Sequence, residues 1–209
     1  MLKELDALSI TQFHDKMLSE PEWLPGQSVK SLSNIGHWIA ANHRYNTLLW
    51  NEEDKARRTD VGPGEIAASK RLIDQYNQKR NDAVEAIDEV ILSALEDFPR
   101  LDDARLNSET AGAMIDRLSI LCLKIYHMRE QTQRIDASVE HIATCNGKLH
   151  RLIAQRQDLG SCFDQLMMDA RQGRAYFKVY RQFKMYNDPT LNPYLYGKHD
   201  QVAAGGAAR

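Results

Sequence analysis

Little in this 209-residue chain interrupts a helix: it holds only 11 glycines and 6 prolines, the latter at 21, 25, 63, 99, 189 and 193. Because proline breaks a helix interior, those positions punctuate the chain and leave long stretches between them free to be helical. Cysteine is scarce as well. Cys122, Cys145 and Cys162 form an odd, dispersed set with no C-x-x-C pair, which reads as reduced intracellular thiols rather than a disulfide framework. No run approaches the roughly 18 apolar residues of a membrane span. The opening Met1-Leu2-Lys3-Glu4-Leu5-Asp6 carries acids where a signal peptide carries an apolar stretch. The expectation is a cytoplasmic protein without a membrane span. Net charge is slight, -2 at pH 7, so no global field points to nucleic acid or an acidic membrane, and any charge argument is local.

Several chemical signatures are missing too. No Glu-x-x-His occurs, which argues against a ferritin-like di-metal site. His-Glu-x-x-His, the phosphate-cradling G-x-x-x-x-G-K-[ST] loop, G-x-G-x-x-G and G-x-S-x-G are absent as well.

What remains is ordinary globular material, 43% hydrophobic and 27% charged, enough for one sizeable core. Domain limits of 1–197 are expected, with the Ala/Gly-rich 198–209 as a flexible tail. A short amphipathic segment falls at about Ser9–Leu18, before a Pro21–Gly26 turn. The next, about Ser28–Arg58, places Leu32, Ile35 and Ile39 on one face. After Val61-Gly62-Pro63-Gly64, apolar positions from Ile66 to Leu95 recur for about 30 residues, or roughly 50 Å of helix. A connector at Leu101–Leu106 follows, then a helix capped by Asn107 or Ser108. A segment at about Ser138–Gln172 either continues that helix or begins another. The fold class is all-α: an antiparallel bundle of four or more long helices.

Polar rows lie one position off the apolar stripes. His43, Asn46, Trp50, Glu53 (beside Asp54) and Arg57 share a face of the second segment. Asp74, Asn77, Asn81, Glu85 and Asp88 share one in the third, and Asp116, Leu123, His127 and Glu130 in the fourth. Converging, they form a polar interior seam. Carboxylates and imidazoles in a bundle core suit a divalent metal, magnesium or manganese, or general acid–base chemistry. The plainer reading is solvated faces and weak ion pairs; the Asn and His members weigh against it, since they gain little on an open helix surface.

Near the end, Arg171, Arg174, Lys178, Arg181 and Lys184 stand among Tyr176, Phe177, Tyr180, Phe183 and Tyr186, with no acid from 171 to 186. A helix would align the first four cations. Phosphorylated sugars, nucleotides and single-stranded RNA fit such a surface, although the near-neutral chain as a whole makes nucleic acid the weaker partner. Alternatively, the aromatics dock this segment and its cations pair with acidic faces.

Three stretches of the chain, His43–Arg57 (with Trp50 and Glu53-Asp54), Lys70–Asp82 (with Asp74, Asn77 and Asn81) and Asp116–Met128 (with Lys124 and His127), resemble the bacterial domain-of-unknown-function family 4254. Tyr180–Pro189 does too. The likeness covers about residues 30 to 196; Ala111 stands where the family usually has proline. It implies a setting beside glycosyltransferases of lipopolysaccharide or other surface-glycan assembly. Glu52-Glu53-Asp54 with Glu85-x-x-Asp88 also loosely resembles the magnesium clusters of all-α nucleotide pyrophosphohydrolases, without their Glu-x-x-Glu spacing.

The leading expectation is thus an enzyme or ligand-binding accessory protein acting on a phosphorylated sugar or nucleotide-sugar. His43, Glu53, Asp74, Glu85, Asp116 and His127 are its candidate catalytic groups. Asn46, Arg57, Asn77, Asn81, Lys124, Arg181 and Lys184 are its candidate ligand contacts, and Glu53, Glu85 and Asp88 its candidate metal ligands. The competing expectation is a non-catalytic module that binds a glycosyltransferase, its polar residues setting helix register. Either leaves room for a homodimer.

Overall fold

The computed structural model describes residues 5–20, 34–181 and 190–191. The Pro21–Gly26 turn, Lys184 and the tail 198–209 lie outside those residues. Five helices carry the fold: α1 (Ala7–Ser19), α2 (Asn34–Ala56), α3 (Pro63–Leu95), α4 (Ala111–Thr132) and α5 (Val139–Arg171). Among the described residues the only strands are β1 (Arg105–Leu106) and β2 (Ala175–Tyr176). The chain is all-α.

Local chemistry sets the helix ends. Asp6 and Ser138 cap α1 and α5 by accepting from Ser9 N and His141 N, and Pro63 opens α3, where its missing N–H leaves no bond unmade. Thr110, rather than Asn107 or Ser108, caps α4, its hydroxyl accepting from Ala113 N at 3.1 Å. Asn107 is held elsewhere: its backbone N–H donates to Tyr176 O and its carboxamide to Glu109 O, both at 2.7 Å. Residues 133–138 separate α4 from α5.

Beyond α5 the structure departs from the expected helical alignment of cations. Gly173 has φ +72, the left-handed region that glycine enters freely, and a Cβ there would collide with the Pro99 carbonyl. The chain turns, Ala175–Tyr176 pairs in parallel with Arg105–Leu106, and residues 177–181 are neither helix nor strand. Arg171, Arg174, Lys178 and Arg181 therefore do not form one helical face. Arg174 instead meets Asp169 at 2.5 Å.

Packing pairs the helices. α2 and α3 form a hairpin, with Tyr45 near Tyr76 (ring centroids 6.2 Å apart) and Lys70 Nζ 4.0 Å from Glu53, so the two run in opposite senses. α4 opposes α3 in the same way: Gly112 N donates to Asp88 at 2.6 Å and Arg80 reaches Asp116 at 3.4 Å. α1 is not peripheral. Its Ala7 N donates to Asp164 of α5, and Asp15 accepts from Arg156 of α5, each at 2.8 Å. Ile39, Ile87, Ile91, Ile115, Leu118 and Phe163 close the apolar core, each burial stabilising by about 1.5–3 kcal/mol.

The chain divides into two compact units, Met1–Val179 and Tyr180–Arg209. All five helices belong to the first; in the second, Tyr180, Arg181, Thr190 and Leu191 are described, all exposed. Among the described residues no helix is long and apolar enough to cross a membrane.

Candidate functional site

One stretch of α2 turns three polar side chains inward. Asn42, His43 and Asn46 are buried against α4. Asn42 Nδ2 and Asn46 Nδ2 both donate to Asp116 Oδ1 at 2.8 Å, and Asn46 also reaches Ser119 Oγ at 3.0 Å. His43 Nδ1 shares a hydrogen bond with Ser119 Oγ at 2.8 Å. From α3, Arg80 approaches Asp116 Oδ2 at 3.4 Å and donates to Asn81 Oδ1 at 3.0 Å and to Asn77 Oδ1 at 3.4 Å. The carboxylate thus binds three helices together, since its removal would take a shared acceptor from donors on α2 and α3 in a poorly solvated place. Of the residues anticipated from the sequence, His43, Asn46, Asn77, Asn81 and Asp116 meet here. Asn42, Arg80 and Ser119 were not anticipated.

Neither was α1. His14 stacks on His43 with centroids 4.4 Å apart and planes 24° apart. It is wholly buried, and among the described residues neither ring nitrogen has a hydrogen-bond partner. Burial holds the His14 imidazole well below its ordinary range, with His43 and Arg156 adding repulsion for the charged form. His43 is pushed down to about 4 by burial, against the opposing pull of a hydrogen bond to the His14 backbone and of Asp15. The next residue, Asp15, accepts from Arg156 and from the Cys122 thiol at 2.9 Å. Burial, with Asp15 beside it, pushes that thiol far up. A buried, protonated thiol is a poor nucleophile.

The other acidic candidates stand apart from this network. Glu53 and Asp54 are each engaged by Arg57 at 3.3 Å along α2, and Asp74 is exposed on α3. Asp88 is buried and accepts from Gly112 N; burial raises its carboxyl to about 6, with a contribution from nearby Glu85. Among the described residues no group of three or more His, Cys, Asp or Glu could hold a metal ion. Glu53, Glu85 and Asp88 are therefore not gathered into one donor set.

A cleft opens further along the same helices. Lys124, His127, Met128 and Gln131 of α4 face Lys148, Arg151, Leu152 and Gln155 of α5, with Trp50 and Asp54 of α2 completing the lining of a space of ≈ 640 Å³. Both rows have the spacing i, i+3, i+4, i+7, which puts each on one helical face. The Trp50 and His127 rings stack with centroids 4.6 Å apart and planes 10° apart, and Tyr126 meets His127 edge-on at 5.2 Å. His127 Nδ1 is bonded to Glu130 Oε2 at 2.8 Å, which orients the ring and leaves Nε2 as the remaining polar atom. Lys124, Lys148 and Arg151 have no hydrogen-bond or ion-pair partner among the described residues.

His127 and Lys124 were anticipated from the sequence; Lys148 and Arg151 were not. Their signal was nonetheless present. No acid occurs between Glu140 and Asp158, so these cations have no intrahelical partner to neutralise them. From Asp116 to His127 is roughly 16 Å along α4, so the two groups belong to separate places on the seam. Of the remaining ligand candidates, Arg181 is exposed in the second unit and Arg57 is committed to Glu53 and Asp54.

Compared with known proteins, residues 36–179, well over half of the chain, match the family described as "Protein of unknown function (DUF4254)". No curated protein and no solved structure matches.

Proposed function

This chain belongs to the DUF4254 family of unknown function, and from there we propose that it is a cytoplasmic enzyme or ligand-binding accessory protein of surface-glycan synthesis. Its ligand is a phosphorylated sugar or a nucleotide-sugar, held in the Trp50–His127 cleft between α2, α4 and α5. The helices are read as an antiparallel bundle whose polar seam is open at this end. One observation carries the reading: three cations without partners among the described residues line a space that also holds a stacked aromatic pair. Uncompensated cations in a concave site favour an anion, and the aromatic wall favours a ring. The glycan setting implied by the family resemblance supplies the choice of phosphorylated sugars.

A second reading, a non-catalytic module that binds a glycosyltransferase, draws support from the Asp116 network, which joins His43, Asn46, Asn77, Asn81 and Asp116 of the seam as a lock on helix register. The magnesium pyrophosphohydrolase reading has no comparable support, since Glu53, Glu85 and Asp88 form no common donor set.

Thermal unfolding with a panel of sugar phosphates and nucleotide-sugars separates the two. A ligand at 100 times its Kd stabilises the folded state by about 2.7 kcal/mol, a rise in Tm of roughly 5–10 °C for a chain of this size. The expected result is such a rise with at least one compound, and its loss in Lys124→Gln/Arg151→Gln. A chain whose Tm ignores the whole panel would favour the interaction module.

A further inference from the structure

Resting on the cleft as the ligand site, we infer that its ligand is a nucleoside diphosphate, free or as the activating half of a nucleotide-sugar, rather than a sugar phosphate. Charge is the first reason. Lys124, Lys148 and Arg151 all line the cleft without partners among the described residues, and the lone acid of the lining, Asp54, is already engaged by Arg57. A single phosphate monoester carries about -1.5 to -2 at neutral pH. A free nucleoside diphosphate carries one further negative charge, and in a nucleotide-sugar a total like the monoester's is spread over two adjacent phosphates. Three cations set along the cleft match the extra charge of the first and the spread charge of the second better than one compact monoester.

The second reason is the wall. Trp50 and His127 lie nearly parallel at 4.6 Å, with Tyr126 edge-on to His127. The wall of the cleft is thus a small aromatic stack, and a nucleobase adds to it through its own π face whatever its identity. The third reason is the edge chemistry. Gln131 and Gln155 line the same space; Gln131 Oε1 already accepts from Arg134 at 3.2 Å, so its amide donors and the whole Gln155 carboxamide remain to complement the mixed donors and acceptors on a base edge. Finally, the two facing rows each span eight residues, a rise of roughly 10 Å. With ≈ 640 Å³ between them, the site is a slot for an elongated molecule, ring at the aromatic wall and charge along the cations.

Calorimetric titration of the full chain tests this with UDP, GDP and ADP against uridine, inorganic pyrophosphate and glucose 1-phosphate. At least one nucleoside diphosphate is expected to bind about tenfold or more tightly than any of the other three probes. Trp50→Leu is expected to reduce its affinity to that of pyrophosphate, and Lys148→Gln/Arg151→Gln to that of the nucleoside. His127→Leu serves for the same readout should Trp50→Leu unfold the chain. Glucose 1-phosphate binding as tightly as every diphosphate, and losing that binding in Lys148→Gln/Arg151→Gln, overturns the nucleotide inference and leaves the cleft standing. Diphosphate affinity unchanged in Trp50→Leu and His127→Leu also overturns it. If no probe binds, or if binding survives Lys148→Gln/Arg151→Gln, the cleft reading falls together with the inference.

Discussion

His14 and His43 set how this protein responds to acid. Both imidazoles are depressed in the folded state, His43 to about 4, because a charged ring is poorly solvated in the core. An unfolded histidine titrates near 6.5. Folding therefore keeps the full benefit of the neutral pair above that pH and loses it progressively as pH falls from about 6.5 towards 4. For His43 alone the loss is roughly 3 kcal/mol. Asp88 acts with the opposite sign. Its carboxyl is raised to about 6, so burying the charge costs stability at neutral pH, and that cost fades as pH drops towards 3.8. Two histidines outweigh one aspartate, so urea denaturation is expected to show falling stability between pH 6.5 and 4. His14→Phe keeps a ring against His43 without a group to protonate, and its stability is expected to fall less over the same window. An equal fall in His14→Phe would refute this assignment.

At the scale of elements, α4 is the helix through which the others are joined. It begins under α3: a Cβ on Gly112 would lie 2.6 Å from Val84 O and 2.9 Å from the Asp88 carboxyl. Since Val84 O is backbone, the helices must part, and Gly112→Ala is expected to destabilise by about 1–3 kcal/mol. One turn on, Asp116→Ala leaves Asn42, Asn46 and Arg80 short of their shared acceptor, a loss of about 1–3 kcal/mol. Asp116→Asn retains one carbonyl oxygen and is expected to lose less. Denaturant midpoints measure all three; Asp116→Ala at wild-type stability would mean that the network is ornamental to the fold.

The same scale shows what sequence patterning can and cannot convey. The start of α3 followed from proline chemistry and the polar rows from helical spacing, while the separation of α5 from α4, with its Ser138 cap, was settled only by the structure. Thr110 was passed over because Asn107 and Ser108 cap helices equally well in principle, and only the pairing of β1 with β2 occupies Asn107. The cationic stretch after Arg171 has perfect helical spacing, yet Gly173 turns the chain before that spacing can matter.

For the whole molecule, packing also decides which thiols are reachable. Cys122 is sealed beneath α1 and Cys145 is buried, while Cys162 is exposed. The folded chain is expected to react at one thiol with a disulfide reagent on the time scale of seconds to minutes, and at all three once denatured. Prompt reaction of Cys122 in native buffer would show that α1 does not stay docked.

Composition and periodicity alone determined the all-helical class, the polar rows as shared helical faces and the candidacy of His43, Asp116 and His127, because those properties depend only on residues three and four apart; Lys124 came from the family resemblance. Which rows meet is not a local property. It depends on the axial offset and rotation of one helix against another. Those offsets split the seam into an Asp116 lock and a Trp50–His127 cleft, brought His14 of α1 under His43, and left Lys148 and Arg151 lining that cleft without an ion-pair partner among the described residues.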